Sequence, residues 1–183
     1  MRRIRLMFKS VSEIVGSEKI GLLILVDEQE ERQIAIPCDK AMLYQFGLRM
    51  KHASDTDRLL PEALWQTIVM QTELKFEILI TDIIDGQYRA LLYNTETLDP
   101  VAVQASDAVL LSFIGRVPIY IEETLMQKQS TAYSREAPGV AIPVNTISTE
   151  MLQSALDRAV EGEKYELASH LRDELKRRSK GGA

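Results

Sequence analysis

The sequence predicts an α+β fold in which duplicated three-strand, two-helix repeats form one curved, barrel-like, mostly antiparallel sheet, followed by a C-terminal α-helical hairpin. Three observations carry this. Strand-like patterns precede helix-like patterns twice, in the same order, which is the arrangement of helices packed on a common sheet. Laying Ile34–Arg49 over Val101–Arg116, an offset of 67 residues, matches Ala35 with Ala102, Ala41 with Ala108, Leu43 with Leu110, Phe46 with Phe113 and Arg49 with Arg116 without a gap. From Thr149 onward, apolar residues recur at helical spacing alone.

The elements follow in order. Ile4–Val11 alternates basic and apolar residues and reads as a strand. Gly21–Asp27 holds Leu22-Leu23-Ile24-Leu25-Val26, the continuous apolar run of a strand buried on both faces. An acidic turn, Asp27–Glu31, leads back through Gln33–Ile36, so the two form a hairpin. Asp39 to Met50 is a helix expected to turn Met42, Leu43, Phe46 and Met50 inward, and a polar loop from His52 to Asp57 follows. Leu60–Gln71 is a second helix, with Pro61 tolerated in its first turn.

The second copy opens with the strand Lys75–Ile83. Asp85-Gly86 supplies a two-residue hairpin turn, Gln87–Tyr93 returns, and Val101–Gln104 is the third strand. The stretch Ala105–Ile121 is its pivot. Ser106 is expected to cap a helix whose first turn holds Asp107, where an acid suits the positive end of the helix dipole, and Gly115 to end it. A short extended segment, Pro118–Ile121, and a helix from Glu122 to Gln129 complete the domain, residues 1–129. Residues 130–147 carry Pro138-Gly139 and Pro143 and read as a linker. In residues 148–183, Thr149 is expected to cap a helix with Leu152, Leu156, Ala159 and Val160 on one face. The turn Glu161–Glu163 then leads to a helix with Tyr165, Ala168, Leu171 and Leu175 on one stripe.

The composition is that of an ordinary soluble protein: 45% hydrophobic and 27% charged, with a net charge of −5. That charge does not suit a protein that grips nucleic acid by bulk electrostatics. No apolar run approaches the roughly 20 residues of a membrane span, so no membrane association is expected. Cys38 is the single cysteine, which excludes an internal disulfide; with no leader-like apolar region after the basic start, a cytoplasmic location is expected. The exposed sheet edges suggest a homodimer or higher homo-oligomer.

The segments Ile80–Ala90, Ala105–Val109 and Val117–Tyr120 resemble the bacterial and plant bifunctional nuclease domain over roughly residues 3–129. That resemblance implies a duplicated three-strand, two-helix fold and hydrolysis of DNA and RNA phosphodiesters. Leu152, Ala159, Glu166, Ala168 and Leu171-Arg172-Asp173-Glu174-Leu175 resemble the UVR motif of UvrB- and UvrC-type excision-repair proteins over roughly residues 150–178, with Tyr165 where Phe is common. This implies a protein-binding hairpin that uses Tyr165, Leu171, Arg172, Asp173 and Leu175, and a link to DNA repair. The chain departs from the nuclease family's pattern at Lys40, at Gln104, and in Arg58–Leu64, which lacks the family's histidine.

Nuclease chemistry needs a metal held by carboxylates, or a general base. The carboxylates on offer in the second copy are Asp82, Asp85, Asp107, Glu122 and Glu123. Asp85 already serves its turn. Asp107 with Ser106 is the catalytic candidate, and Asp82 with Glu122 the candidate site for a magnesium or manganese ion. No zinc spacing, phosphate loop or dinucleotide fingerprint is present. His52, His170 and Cys38 have bland readings as surface, tail and buried residues. Two functions fit: a metal-dependent nuclease recruited through its tail, or a non-catalytic adaptor with a nuclease-like fold, which the acidic balance and the missing histidine favour.

Overall fold

Alternation on the first strand decides which way the sheet faces. In the computed structural model, which describes residues 2–13, 20–51, 56–135 and 143–181, β1 (Arg3–Glu13) buries Leu6 and leaves Arg3, Arg5 and Met7 exposed. A bulge between Phe8 and Ser10 shifts its register on β2 (Ile20–Asp27). β2 is buried at every position from Gly21 to Asp27, as its unbroken apolar run requires. The carboxylate of Asp27 accepts the backbone N–H groups of Glu31 (2.8 Å) and Arg32 (3.1 Å), which closes the turn into β3 (Arg32–Asp39).

Asp39 ends β3 and caps α1 (Lys40–Lys51), its side chain accepting from the Met42 N–H at 2.7 Å. α2 (Leu60–Gln71) has the bounds read from the sequence. β4 (Phe76–Ile84) and β5 (Gln87–Asn94) are joined by Asp85 (φ 52°) and Gly86 (φ 77°), the paired positive φ values that a two-residue hairpin turn needs. β6 (Pro100–Gln104), α3 (Ala105–Gly115), β7 (Ile119–Glu122), α4 (Glu123–Gln129) and the two-residue β8 (Thr131–Ala132) follow.

The eight strands form one sheet in the order β6-β5-β4-β7-β1-β2-β3-β8. The strands of the two copies run outward in chain order from a centre occupied by β7. β7 is parallel to β4 and antiparallel to β1. The sheet is mixed and open, with β6 and β8 at its edges, so the expected barrel-like curvature does not reach closure. β8 lies in the stretch read as linker: Arg32 and Gln33 pair with Ala132 and Thr131.

The chain divides into two compact units. One is Met1–Asp82 with Tyr88–Val140; the other is Ile83–Gln87 with Ala141–Ala183. The core of the first centres on Phe8, Phe46 and Phe113, with ring centroids 4.7 to 5.6 Å apart. In the second, a 3-10 turn (Val144–Thr146) precedes α5 (Thr149–Glu161) and α6 (Tyr165–Gly181). Leu152, Ala159, Ala168 and Leu171 form its core.

Five local expectations are corrected. Ser148, not Thr149, caps α5, its hydroxyl accepting from Met151 N–H. Ser106 lies inside α3, because Ala105 is already helical and Gln104 holds the cap position without a side-chain bond. Gly115 is the last helical residue of α3; Arg116 takes the left-handed cap conformation at φ 52°. Met50 is exposed, since the neighbouring Arg49 is drawn inward instead. Val160 and Tyr165 are exposed because the hairpin core is already filled by the four residues just named. The loop 52–55, with His52, and residues 136–142 lie outside the described residues.

Candidate functional site

Strand alternation gathers a polar cluster on the face of the sheet that β1 exposes. Arg3 and Arg5 pair across strands with Glu122 and Tyr120 of β7. Direct antiparallel partners share a face, so all four side chains stand together. The Arg3 guanidinium lies 5.1 Å from the centre of the Tyr120 ring and donates to Glu77 Oε2 of β4 at 3.1 Å. Tyr93 of β5 donates to the same oxygen at 2.8 Å and also contacts Arg3. Partial burial and then the Glu77 hydrogen bond push the Tyr93 phenol above its ordinary range. Burial opposes the charge of Arg3, but the Tyr93 and Glu77 contacts outweigh it and hold its pKa up. Tyr93 is therefore a hydrogen-bond donor here, not a phenolate nucleophile.

Further along β1, Lys9 repeats the theme. It donates to Glu30 at 2.6 Å and stands 5.8 Å from the Tyr133 ring, while Arg135 binds the other Glu30 oxygen at 2.7 Å. The hydrogen bonds from Lys9 and then Arg135 lower the Glu30 pKa. Arg2 and Arg5 lie 3.6 Å from Glu123 and Glu28. Thus Arg2, Arg3, Arg5 and Lys9 each have a carboxylate partner, and this basic strand is not a bare phosphate-binding stripe. A phosphate here would have to displace a carboxylate.

The candidates read from the sequence are placed as follows. Asp107 is exposed in the first turn of α3 and Ser106 is half-buried beside it. Glu122 ends β7 opposite Arg3, half-buried. Asp82 is exposed near the end of β4. Ile80 and Ile121 are register partners, both buried; alternation then puts Asp82 on their face of the sheet and Glu122 on the opposite one. Among the described residues, no three His, Cys, Asp or Glu side chains come close enough to hold a metal ion. Asp82 and Glu122 thus project from opposite faces of the sheet, and no step is assigned to a metal. Glu62, the carboxylate in Arg58–Leu64, is buried in a two-pronged ion pair with Arg49 (2.6 and 2.9 Å) and is structural.

In the tail unit, Tyr165 and Arg172 line an open groove of about 810 Å³ together with Leu156, Asp157, Val160 and Ala168. Asp173 is exposed, Leu171 belongs to the hairpin's own core, and half-buried Leu175 packs against that core. His170 is exposed. Sequence reading missed Glu77, Tyr93 and Tyr120. Their signal was present in the period-two spacing of Arg3 with Arg5 and of Tyr120 with Glu122, but which strands adjoin had to be known first.

The model of the family described as bifunctional nuclease domain matches residues 22–134. No curated protein matches the chain. No helix among the described residues is long and apolar enough to cross a membrane.

Proposed function

We propose, from the premise that this chain belongs to the bifunctional nuclease domain family, that its nuclease-like function is the hydrolysis of phosphodiester bonds in DNA or RNA. One observation carries this: the match to residues 22–134 contains Asp82, Ser106, Asp107 and Glu122 together. In this reading Asp107, solvent-facing at the start of α3, takes a proton from the attacking water, and the Ser106 hydroxyl orients it. A magnesium or manganese ion would supply charge stabilisation to such chemistry, with no residue set assigned to it.

The α5–α6 hairpin is the protein-binding arm of this reading, with Tyr165 and Arg172 presented at its groove. Its likeness to the UVR motif motivates recruitment to a repair or turnover complex. A second reading, a non-catalytic adaptor in the cytoplasm, is favoured by one specific observation: the carboxylates of the domain do not converge among the described residues.

The deciding experiment is cleavage of single- and double-stranded DNA and RNA by purified protein, with magnesium or manganese, with chelator, and with Asp107→Ala prepared identically. Asp107 is exposed, so its loss leaves the fold intact. Cutting that the variant loses supports the nuclease with its site at α3. Cutting that the variant retains removes Asp107 from the mechanism. No cutting by either protein leaves the adaptor.

A further inference from the structure

Arg116 holds a conformation that an arginine rarely takes. It follows α3 at φ 52°, the left-handed position at which a helix usually ends on glycine, and a side chain kept there against its preference points to a use. Its counterpart in the other copy, Arg49, is buried in the ion pair with Glu62. Arg116 instead is exposed and, among the described residues, has no carboxylate partner. Beside it, Trp65 of α2 lies over Gly115. The indole atoms nearest to a Cβ on Gly115 would be Cε2, then Nε1 and Cζ2. That is the order for a point above the ring rather than at its rim, so the indole covers this backbone face-on. Trp65 is only half-buried and keeps part of its surface in water. The Phe76 ring stands 5.9 Å from it, and exposed Lys75, also without a carboxylate partner among the described residues, precedes Phe76.

We infer that Trp65, Arg116 and Lys75 bind single-stranded nucleic acid, with an unpaired base stacked on the indole and the adjoining phosphates held by the two cations. An aromatic platform among positive charges holds a strand without reading its sequence. α2 suits such a neighbour: its one ionisable side chain, Glu62, is neutralised by Arg49, so the helix adds no charge to repel a phosphate. Glu73 is the one acid close in sequence, two residues before Lys75. A duplex keeps its bases stacked on one another and offers none to the indole. The inference rests on the nuclease reading for the class of ligand, and it deepens that reading. Gly115 lies eight residues along α3 from Asp107, about 12 Å, so a strand held here can pass Asp107, and the substrate is single-stranded DNA or RNA.

Binding, measured apart from cleavage, tests it. A short thymidine oligomer is titrated into the full chain in chelator. It is read by the emission of Trp65, the only tryptophan, and by the anisotropy of a labelled copy. Saturable quenching by the single strand is expected, with at least about tenfold weaker binding of a duplex of the same length. Trp65→Leu should weaken binding at least about fivefold, the low end for one base stacked on an aromatic ring. Arg116→Gly suits the left-handed backbone and so preserves the fold. It should weaken binding and lower the slope of log affinity against log salt by about 0.7, the value of one phosphate on a single strand. Circular dichroism confirms folding. No binding by wild type, equal binding of the duplex, or an unchanged salt slope in Arg116→Gly overturns the proposal. If Trp65→Leu does not fold, the quenching and Arg116→Gly decide alone. The two readings fail separately. Cleavage together with binding that neither variant alters refutes this site and keeps the nuclease; variant-sensitive binding without cleavage keeps the site and refutes the nuclease.

Discussion

Phe46 and Phe113 meet edge to face, with ring centroids 5.6 Å apart, and they are the same step of the 67-residue repeat. The two copies therefore share a core: each contributes its equivalent ring, and Phe8 of β1 completes the cluster. Neither half can bury its helix face without the other, which makes the duplicated unit one cooperative body.

Replacing these rings separates their contributions. Phe46 is fully buried and Phe113 is 36% exposed. Phe46→Ala is expected to cost about 3–5 kcal/mol, and Phe113→Ala clearly less. Because the rings touch, the double variant should lose less than the two single losses combined. Urea denaturation of the three variants measures this; equal single losses that add fully would contradict a shared cluster.

The Arg49–Glu62 pair anchors α2 to α1. Both residues are nearly inaccessible, at 4% and 8%, and Arg49 is further bonded to the carbonyl and side chain of Gln45 at 3.0 and 2.7 Å. Removing one partner strands a buried charge, so Glu62→Ala should cost about 3–5 kcal/mol. Replacing both, Arg49→Met with Glu62→Leu, should recover much of that loss. Thermal denaturation of the set checks it; a double variant as unstable as Glu62→Ala would show that the pair's geometry, not charge burial, sets the cost.

Gly115 fits where it does because Trp65 lies over it. A Cβ at this position would stand 2.4 Å from the indole, which must then shift. Gly115→Ala gains about 1 kcal/mol of helix propensity but forces an overpacked contact that costs about 1–3 kcal/mol, and the contact is expected to win. Trp65 is the only tryptophan, so its emission reports the displacement directly. Unchanged emission with raised stability would mean that the indole was loosely held.

Element order and most bounds were legible from the sequence because periodicity is local: α2 carries its bounds in Pro61 and the apolar run behind it. The duplication was legible because positions 67 residues apart kept their residue types, although burial differs between the copies. What escaped depends on neighbours far along the chain. Met50 has an apolar side chain in a helical stripe, yet Arg49 is buried in its place because Glu62 of α2 lies opposite. Tyr93, Glu77, Arg3 and Tyr120 come from four strands, and only the sheet order unites them. The outward surface of α2 reads as an ordinary core stripe until the structure shows that the stripe has no core to meet.

Cys38 gives a titration with a definite sign. Burial, and then the neighbouring Asp39 carboxylate, push its thiol up from 9.0 to about 12, against a small lowering by the Gly21 backbone. Folding thus holds the proton on the sulfur. Its contribution to stability is complete below pH 9, where the unfolded thiol is also protonated, and is lost as the pH rises towards 12, because only the unfolded chain releases the proton in that window. The slope is at most about 1.4 kcal/mol per pH unit. Denaturation of wild type and Cys38→Ala in parallel, from pH 8 to pH 11, isolates it from other titrations: the wild-type curve should fall more steeply above pH 9. The native thiol should also resist iodoacetamide at pH 8 and react once the chain is unfolded in denaturant. Parallel stability curves, or rapid alkylation of the native protein, would place Cys38 in contact with solvent and remove the burial that raises its pKa.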